Sequence, residues 1–301
     1  MTTHHFVPTA WHHVLATLPP ALTIESGDTL ITETIDANGW DKHGNKVWKA
    51  GNPMNGPIAI ADAAPGDSLR VEILAMQPIR AYGWTRASIA PNVVDPSFAA
   101  HLPPRVRTRW HIDRNALTAQ LEDGSGPLLP LEPMIGCFGV APEGGQAIST
   151  ATSGPNGGNM DYRLLGPGAT IRFPVSAPGA LFFVGDCHAT QGDGEIVGTG
   201  IETAYEVTLR LSVEKRGIVW PRCENDEDIF TIGNARPLEQ ALQHATTEML
   251  RWLDEDYGLD TVAASNLLGQ TVRYDIGNIY DPAFTVGCRI AKKWLPTRKS
   301  A

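Results

Sequence analysis

Cysteine is scarce in this chain of 301 residues, with four in all, Cys137, Cys187, Cys223 and Cys288, and no CxxC pair. Scattered thiols in a chain of this size predict reduced cysteines and a cytoplasmic protein, not a disulfide framework. A basic cluster is missing as well. Asp and Glu number 33 against 24 Lys and Arg, a formal net charge of −9. Phosphate backbones and anionic membranes are repelled by such a surface, which argues against a nucleic-acid or membrane role. No apolar run approaches the length of a membrane span. The opening MTTHHFVPTAWHH has no basic stretch followed by an apolar one, so no signal peptide is expected.

What is present is ordinary for a globular protein, 42% apolar and 19% charged, with turn-formers in excess at Gly 30 and Pro 23. Runs of alternating polarity flank Ser26-Gly27-Asp28 and Pro65-Gly66-Asp67, and a third follows Pro167-Gly168-Ala169. Their irregular spacing predicts a multi-stranded β-sandwich or barrel and excludes a solenoid. After Val213 the pattern changes. Leu238, Ala241, Leu242, Ala245, Met249, Trp252 and Leu253 recur at helical spacing between Pro237 and Gly258, and a second helix starts from Asp260. The expected fold is therefore mainly β, with a β-rich body over residues 1–215 and a smaller α+β part over 216–301.

The chain is organised around LFFVGDCHATQGDGEIVGTGIET, residues 181–203. An apolar strand breaks into a glycine-loosened turn carrying Asp186, His188, Asp193 and Glu195, before a second strand-like run from Ile196 to Val213. Alternation along a strand puts Asp186 and His188 on one face. A carboxylate and an imidazole there suit Zn²⁺ or a similar divalent ion, and Asp161 could add a ligand from the preceding glycine-rich loop. If the turn is a simple hairpin, Glu195 returns to His188 as a general base. Each residue also has a plainer explanation. Asp-x-His alone is unspecific, Asp193 suits a turn cap, Glu195 a solvated hairpin, and Glu202 either a surface or a buried functional position. Cys187 alternates to the opposite strand face, where a buried, inert thiol is expected. His4, His5, His12 and His13 crowd the N-terminus, where incidental histidines on a strand edge outweigh a metal cluster. Residues 36–57, polar, glycine-rich and carrying two tryptophans, read as a functional loop or a surface Ω-loop.

Four segments, GNPMNGP (51–57), PMIGCFGVAPE (133–143), GGNMD (157–161) and PGALFFVGDCHATQGDGEIVGTGIET (178–203), resemble the acetamidase/formamidase family. The resemblance implies hydrolysis of a small linear or cyclic amide, a β-rich fold, a bound divalent metal and a homo-oligomer. It carries functional expectations onto Asp161, Asp186, His188, Asp193, Glu195 and Glu202. The expected assignment is metal on Asp161, Asp186 and His188, proton transfer by Glu195, Glu202 or Asp193, and substrate amide held by Asn159 and Gln191. The metal is most simply Zn²⁺, with Ca²⁺ or Mn²⁺ as alternatives. Two rivals stand beside this: a Cys187-dependent amidase, and a non-catalytic β-sandwich module binding Ca²⁺ and a small ligand. A chelator separates the first from the metal enzyme, and a metal assay the second.

Overall fold

The computed structural model describes residues 1–299. Its frame is two large sheets facing one another, with a small helical unit at one end. The first sheet has nine strands in the order Thr3–Phe6, Asp28–Glu33, Tyr205–Glu214, Ser68–Pro78, Thr170–Pro174, Arg222–Glu224, Asp228–Ala235, Phe284–Ala291 and Arg273–Asn278. The second has six, Ser153–Gly154, Gly157–Asn159, Met134–Gly139, Phe182–His188, Asn55–Ile60 and Leu22–Ile24. A four-stranded sheet of Leu129–Pro130, Thr118–Leu121, Arg107–Asp113 and Tyr82–Arg86 stands beside them. The fold is mainly β, as expected.

The periodicities explain where the core sits. In Tyr205–Glu214 the residues Val207, Leu209 and Leu211 are buried while Glu206, Thr208 and Arg210 between them are half-buried, a period of two with one face inward. That face meets Ile58, Ile135, Phe138, Phe182 and Val184 of the opposite sheet in one apolar core. Strand Asp228–Ala235 breaks the alternation, because both its faces are covered. Phe230 and Ile232 join the main core, and Ile229 joins a second cluster with Ala245, Met249, Trp252 and Leu268 of the helices. Those helices are Leu238–Tyr257 and Thr261–Thr271. Pro237 is the N-cap of the first and Gly258 its left-handed C-cap, while the Asp260 side chain caps the second by accepting from the Ala263 amide at 2.8 Å. The nine-stranded sheet runs continuously across the 215/216 boundary suggested by composition.

The turns do more than reverse the chain. Leu22–Ile24 lies in the six-stranded sheet and Asp28–Glu33 in the nine-stranded one; the same holds for Asn55–Ile60 and Ser68–Pro78. Residues 181–203 repeat this crossing: the two long strands expected as a hairpin lie in different sheets, and the return of the chain is confined to an antiparallel bridge of His188 with Glu202. Phe182–His188 ends in one sheet, residues 189–204 form an irregular crossing, and a strand resumes only at Tyr205, in the other sheet. The glycine-rich stretch before Asp161 is likewise not an open loop, since Gly157–Asn159 pairs with Met134–Gly139 and is fully buried. His4 and His5 lie on the edge strand Thr3–Phe6, with His4 against Asp28 at 2.8 Å, whereas His12 bridges to Met54 and His13 meets the Lys49 carbonyl at 3.4 Å. Among the described residues, no cluster of closely spaced ligand atoms includes them.

Candidate metal centre

The end of strand Phe182–His188 carries the site. Met134–Gly139 runs antiparallel beside it, and the pairing steps past Asp186, whose backbone is left-handed at φ 52°. Asp161 (φ 44°), Glu195 (φ 48°) and Asn52 (φ 51°) share that conformation. Positive φ in a non-glycine residue is uncommon and concentrates where function overrides local comfort. Gly136 lies beneath the two aspartates, and a β-carbon there would strike Asp161 Oδ1 and approach the Asp186 carbonyl. At Gly200 a β-carbon would collide with the His188 ring. These two glycines keep the space in which the ligands converge.

His188 Nε2 lies 3.0 Å from Glu202 Oε1 and 3.4 Å from Asp186 Oδ1. Its Nδ1 meets Gln191 Oε1 at 2.8 Å, while Gln191 Nε2 donates to the Asp161 carbonyl at 2.6 Å. Because the amide nitrogen must face that carbonyl, Gln191 presents its oxygen to the imidazole, so Nδ1 carries the proton. Nε2 thus faces carboxylate oxygens, where either a proton or a cation between them completes the arrangement. Asp161 Oδ1, Asp186 Oδ1, His188 Nε2 and Glu202 Oε2 are all buried without a hydrogen-bond partner. Three overlapping groups have ligand atoms within 4.8 Å of one another: Asp161 with Asp186 and His188, His188 with Glu195 and Glu202, and Asp161 with Glu195 and Asp281.

Neighbouring amides hold the remaining oxygens. Asn278 Nδ2 donates to Asp161 Oδ2 at 2.8 Å, Glu195 Oε2 at 2.9 Å and Asp281 Oδ2 at 2.6 Å. Asn52 Nδ2 donates to Asn159 Oδ1 at 2.8 Å and Asp186 Oδ2 at 3.0 Å, and Asn159 Nδ2 to Asp281 Oδ2 at 2.6 Å. Five carboxylates thus surround one imidazole, and among the described residues no Lys or Arg forms an ion pair with any of them. Burial, then Asp281 and Asp186, push the Asp161 carboxyl well above its usual range. Burial, then Asp161 and Asp281, do the same to Glu195, and burial lifts Glu202 to about 8 against the pull of His188. Burial works to lower His188, but Glu202 and Asp186 outweigh it and raise it well above the ordinary imidazole value. Such a cluster has to take up protons or a cation. The mixed nitrogen and oxygen donor set, with its unpartnered lone pairs, fits a divalent ion.

Of the residues singled out in the sequence, the fold brings together Asp161, Asp186, His188, Glu195, Glu202, Asn159 and Gln191. Asp193 stays outside. It lies at the surface, paired with Arg163 at 2.6 Å, because the turn that directs Glu195 inward points its neighbour-but-one outward. Gln191 orients His188 with one end and holds the Asp161 backbone with the other, so both ends of its amide are committed within the protein. Cys187 is fully buried in the main core, and burial first, then neighbouring Asp186 and Glu202, lift its thiol to about 12 against the pull of Thr34 and His188. A buried, protonated thiol is a poor nucleophile, which argues against the cysteine mechanism. Asn52, Asn278 and Asp281 were not singled out. Asn52 falls in the stretch 36–57, read as either a functional loop or a surface Ω-loop, and Asn278 opens an Asx-turn, its Oδ1 accepting from the Tyr280 and Asp281 amides at 2.7 and 2.9 Å.

No helix among the described residues is long and apolar enough to cross a membrane. Residues 140–266 match the model of the Acetamidase/Formamidase family. The chain is 27% identical to an acetamidase of Mycolicibacterium smegmatis over 62% of its own length and 59% of that protein's. Matches to the curated relatives span 59–64% of their length, under two thirds. Solved structures are covered more fully. An acetamidase of Bacillus halodurans superposes with TM-score 0.84 at 29% identity, over 97% of this chain and 98% of the other. An acetamidase of Yersinia enterocolitica gives TM-score 0.84 at 34% identity, over 97% and 92% of the two chains. With that identity over nearly the whole of both chains, added to the matched family model and a shared fold, this chain belongs to the acetamidase/formamidase family.

Proposed function

We propose that this protein is a metal-dependent hydrolase of a small amide, releasing a carboxylate and ammonia or an amine. The observation that carries the reading is the convergence of buried, unpartnered lone pairs from Asp161, Asp186 and His188 at the end of one strand. These three residues would hold a divalent ion, most simply Zn²⁺, with Mn²⁺ or Ca²⁺ as alternatives. Such an ion, when bound, supplies a Lewis acid for the amide carbonyl and makes water a stronger acid.

The chain's own residues do the rest. Gln191 fixes the His188 tautomer, leaving Nε2 free as a donor of electrons. Glu202 and Glu195 are the proton carriers, both buried and raised above the usual carboxylate range, so that each can accept a proton from water and return it to nitrogen. Water adds to the carbonyl carbon as its proton goes to the glutamate; the carbon–nitrogen bond then breaks as that proton reaches the departing nitrogen. Protonation is needed because an amide anion is a very poor leaving group. Asn52 and Asp281 alone among the cluster are half-buried, so substrate enters between them, and Asn159, whose amide bridges these two, would bind the substrate amide by exchanging one of those bonds. We further propose a homo-oligomeric, cytoplasmic enzyme, with no nucleic-acid partner given its charge of −9.

Ammonia release from formamide, acetamide, propionamide and a lactam, before and after dipicolinate, tests the reading, together with metal content by mass spectrometry. Turnover of at least one amide, lost with the metal and restored by Zn²⁺ or Mn²⁺, is the expected result. Calcium as the sole bound metal with no turnover would instead support a non-catalytic binding module.

A further inference from the structure

Strands Tyr82–Arg86 and Arg107–Asp113 are paired so that Arg86 stands directly opposite Arg107. Like charges opposite one another across an antiparallel pair destabilise a sheet. Among the described residues neither guanidinium has a carboxylate within ion-pair distance, whereas Arg109, on the same face, pairs with Glu122 at 3.0 Å. Acid is not in short supply, since carboxylates outnumber basic residues 33 to 24. All three arginines are laid on aromatic rings, Arg109 on Tyr82 at 4.2 Å, but only Arg109 has a carboxylate as well. Arg107 Cζ sits 4.4 Å from the centre of Trp40 and 6.0 Å from that of Trp84, and Arg86 Cζ lies 5.7 Å from Trp84. Arg105, two residues along, rests 4.8 Å from the Tyr280 ring and donates through Nη2 to the Val197 carbonyl at 2.6 Å. Its Nη1 is buried with no partner.

The Arg105 guanidinium and the Arg86 main chain touch the segment between Glu195 and Glu202. The Arg86 amide donates to Thr199 Oγ1 at 3.0 Å, and Val197 and Thr199 lie on the segment joining Glu195 to Glu202. Tyr280 adjoins Asp281. A guanidinium stacked on an aromatic ring keeps its edge free and fixed in direction, and that edge matches a carboxylate with two parallel hydrogen bonds.

We propose that Arg86, Arg107 and Arg105 form an anion subsite on the four-stranded sheet beside the 195–202 segment, and that its ligand is a carboxylate. The choice of ligand rests on the amide-hydrolase reading, in which a carboxylate arises as product and can also be present as a second acidic group on the substrate. Binding itself is independent of turnover.

The test is calorimetric titration of the full-length, metal-loaded protein with succinate and with acetate, for the wild type, the double variant R86Q/R107Q and the control R109Q. The expected result is an affinity for succinate or acetate at least tenfold weaker in R86Q/R107Q and unchanged in R109Q. Affinities within twofold of wild type in the double variant, with its circular dichroism unchanged, would overturn the proposal. Kinetics then separate the two sources. If the subsite takes the acid group of the substrate, the ratio of kcat/KM for succinamate over that for butyramide falls at least tenfold in R86Q/R107Q. If it takes the product, that ratio holds and the acetate inhibition constant rises by a similar factor. Should no amide be turned over while the wild type still binds succinate through these arginines, the subsite stands and the hydrolase reading fails.

Discussion

Two regions of this molecule bury charge, and they do so in opposite ways. Beneath the long helix, Arg222 meets Glu248 at 2.7 Å and Glu255 at 2.8 Å, with Arg216 and Arg298 closing on Asp256. Every carboxylate there has its guanidinium. At the end of Phe182–His188, five carboxylates face one imidazole, and the neighbours that hold them are neutral amides. The first region completes its electrostatics within the chain and serves stability. The second leaves its charge open, which costs stability in the bare chain and is the feature on which the proposed metal and substrate site rests.

The contrast is broken most severely at His188. H188A should lower amide turnover by at least about a thousandfold and lose bound metal, without unfolding the protein; ammonia release, metal content and thermal melting read all three. In the paired region E248A should do the reverse, leaving Arg222 buried without its main partner. It should cost about 3–5 kcal/mol in denaturant unfolding, while turnover per folded molecule holds.

The two regions should also answer pH with opposite signs. Burial opposes ionisation of Glu255 and Asp256, but hydrogen bonds from Arg222, Arg216, Trp252 and Arg298 prevail and hold both below the usual carboxylate range. Their contribution is therefore present above the unfolded carboxylate pKa and lost as pH falls through the lower folded values. For Glu202 the folded value is raised to about 8. The native cluster then binds more protons than the unfolded chain, so metal-free protein should lose stability as pH climbs from about 4 to about 8. Melting curves of metal-free and metal-loaded protein over that range check this, and a flat response in the metal-free form would refute it. The mildest test is D193N. It breaks only the half-exposed pair with Arg163 and should change stability by less than about 1 kcal/mol and turnover by less than twofold.

How far the sequence could be read follows from the same physics. Strand alternation put Asp186 and His188 together and Cys187 away from them, and helical spacing with Pro237, Gly258 and Asp260 marked both helices. Turn residues announced where the chain bends but not which sheet receives it, so the crossing at 189–204 looked like a hairpin. A glycine turn satisfies either geometry locally, and only the packing of two distant faces decides. Asn278 and Asp281 escaped notice because they reach the cluster from the far end of the chain, on an Asx-turn with no periodic signal. Asp193 looked as good as Glu195 because a motif does not record the direction in which each side chain leaves a left-handed turn.

Glu202 is joined on both sides through its backbone, by a bridge to His188 and another to Trp84, whose amide and carbonyl exchange hydrogen bonds with it at 3.1 and 2.9 Å. One residue is thus the rivet between the ligand-bearing strand and the four-stranded outer sheet. A tilt of that sheet is passed to Glu202 through main chain, so a contact made on the sheet has a mechanical route to the buried cluster.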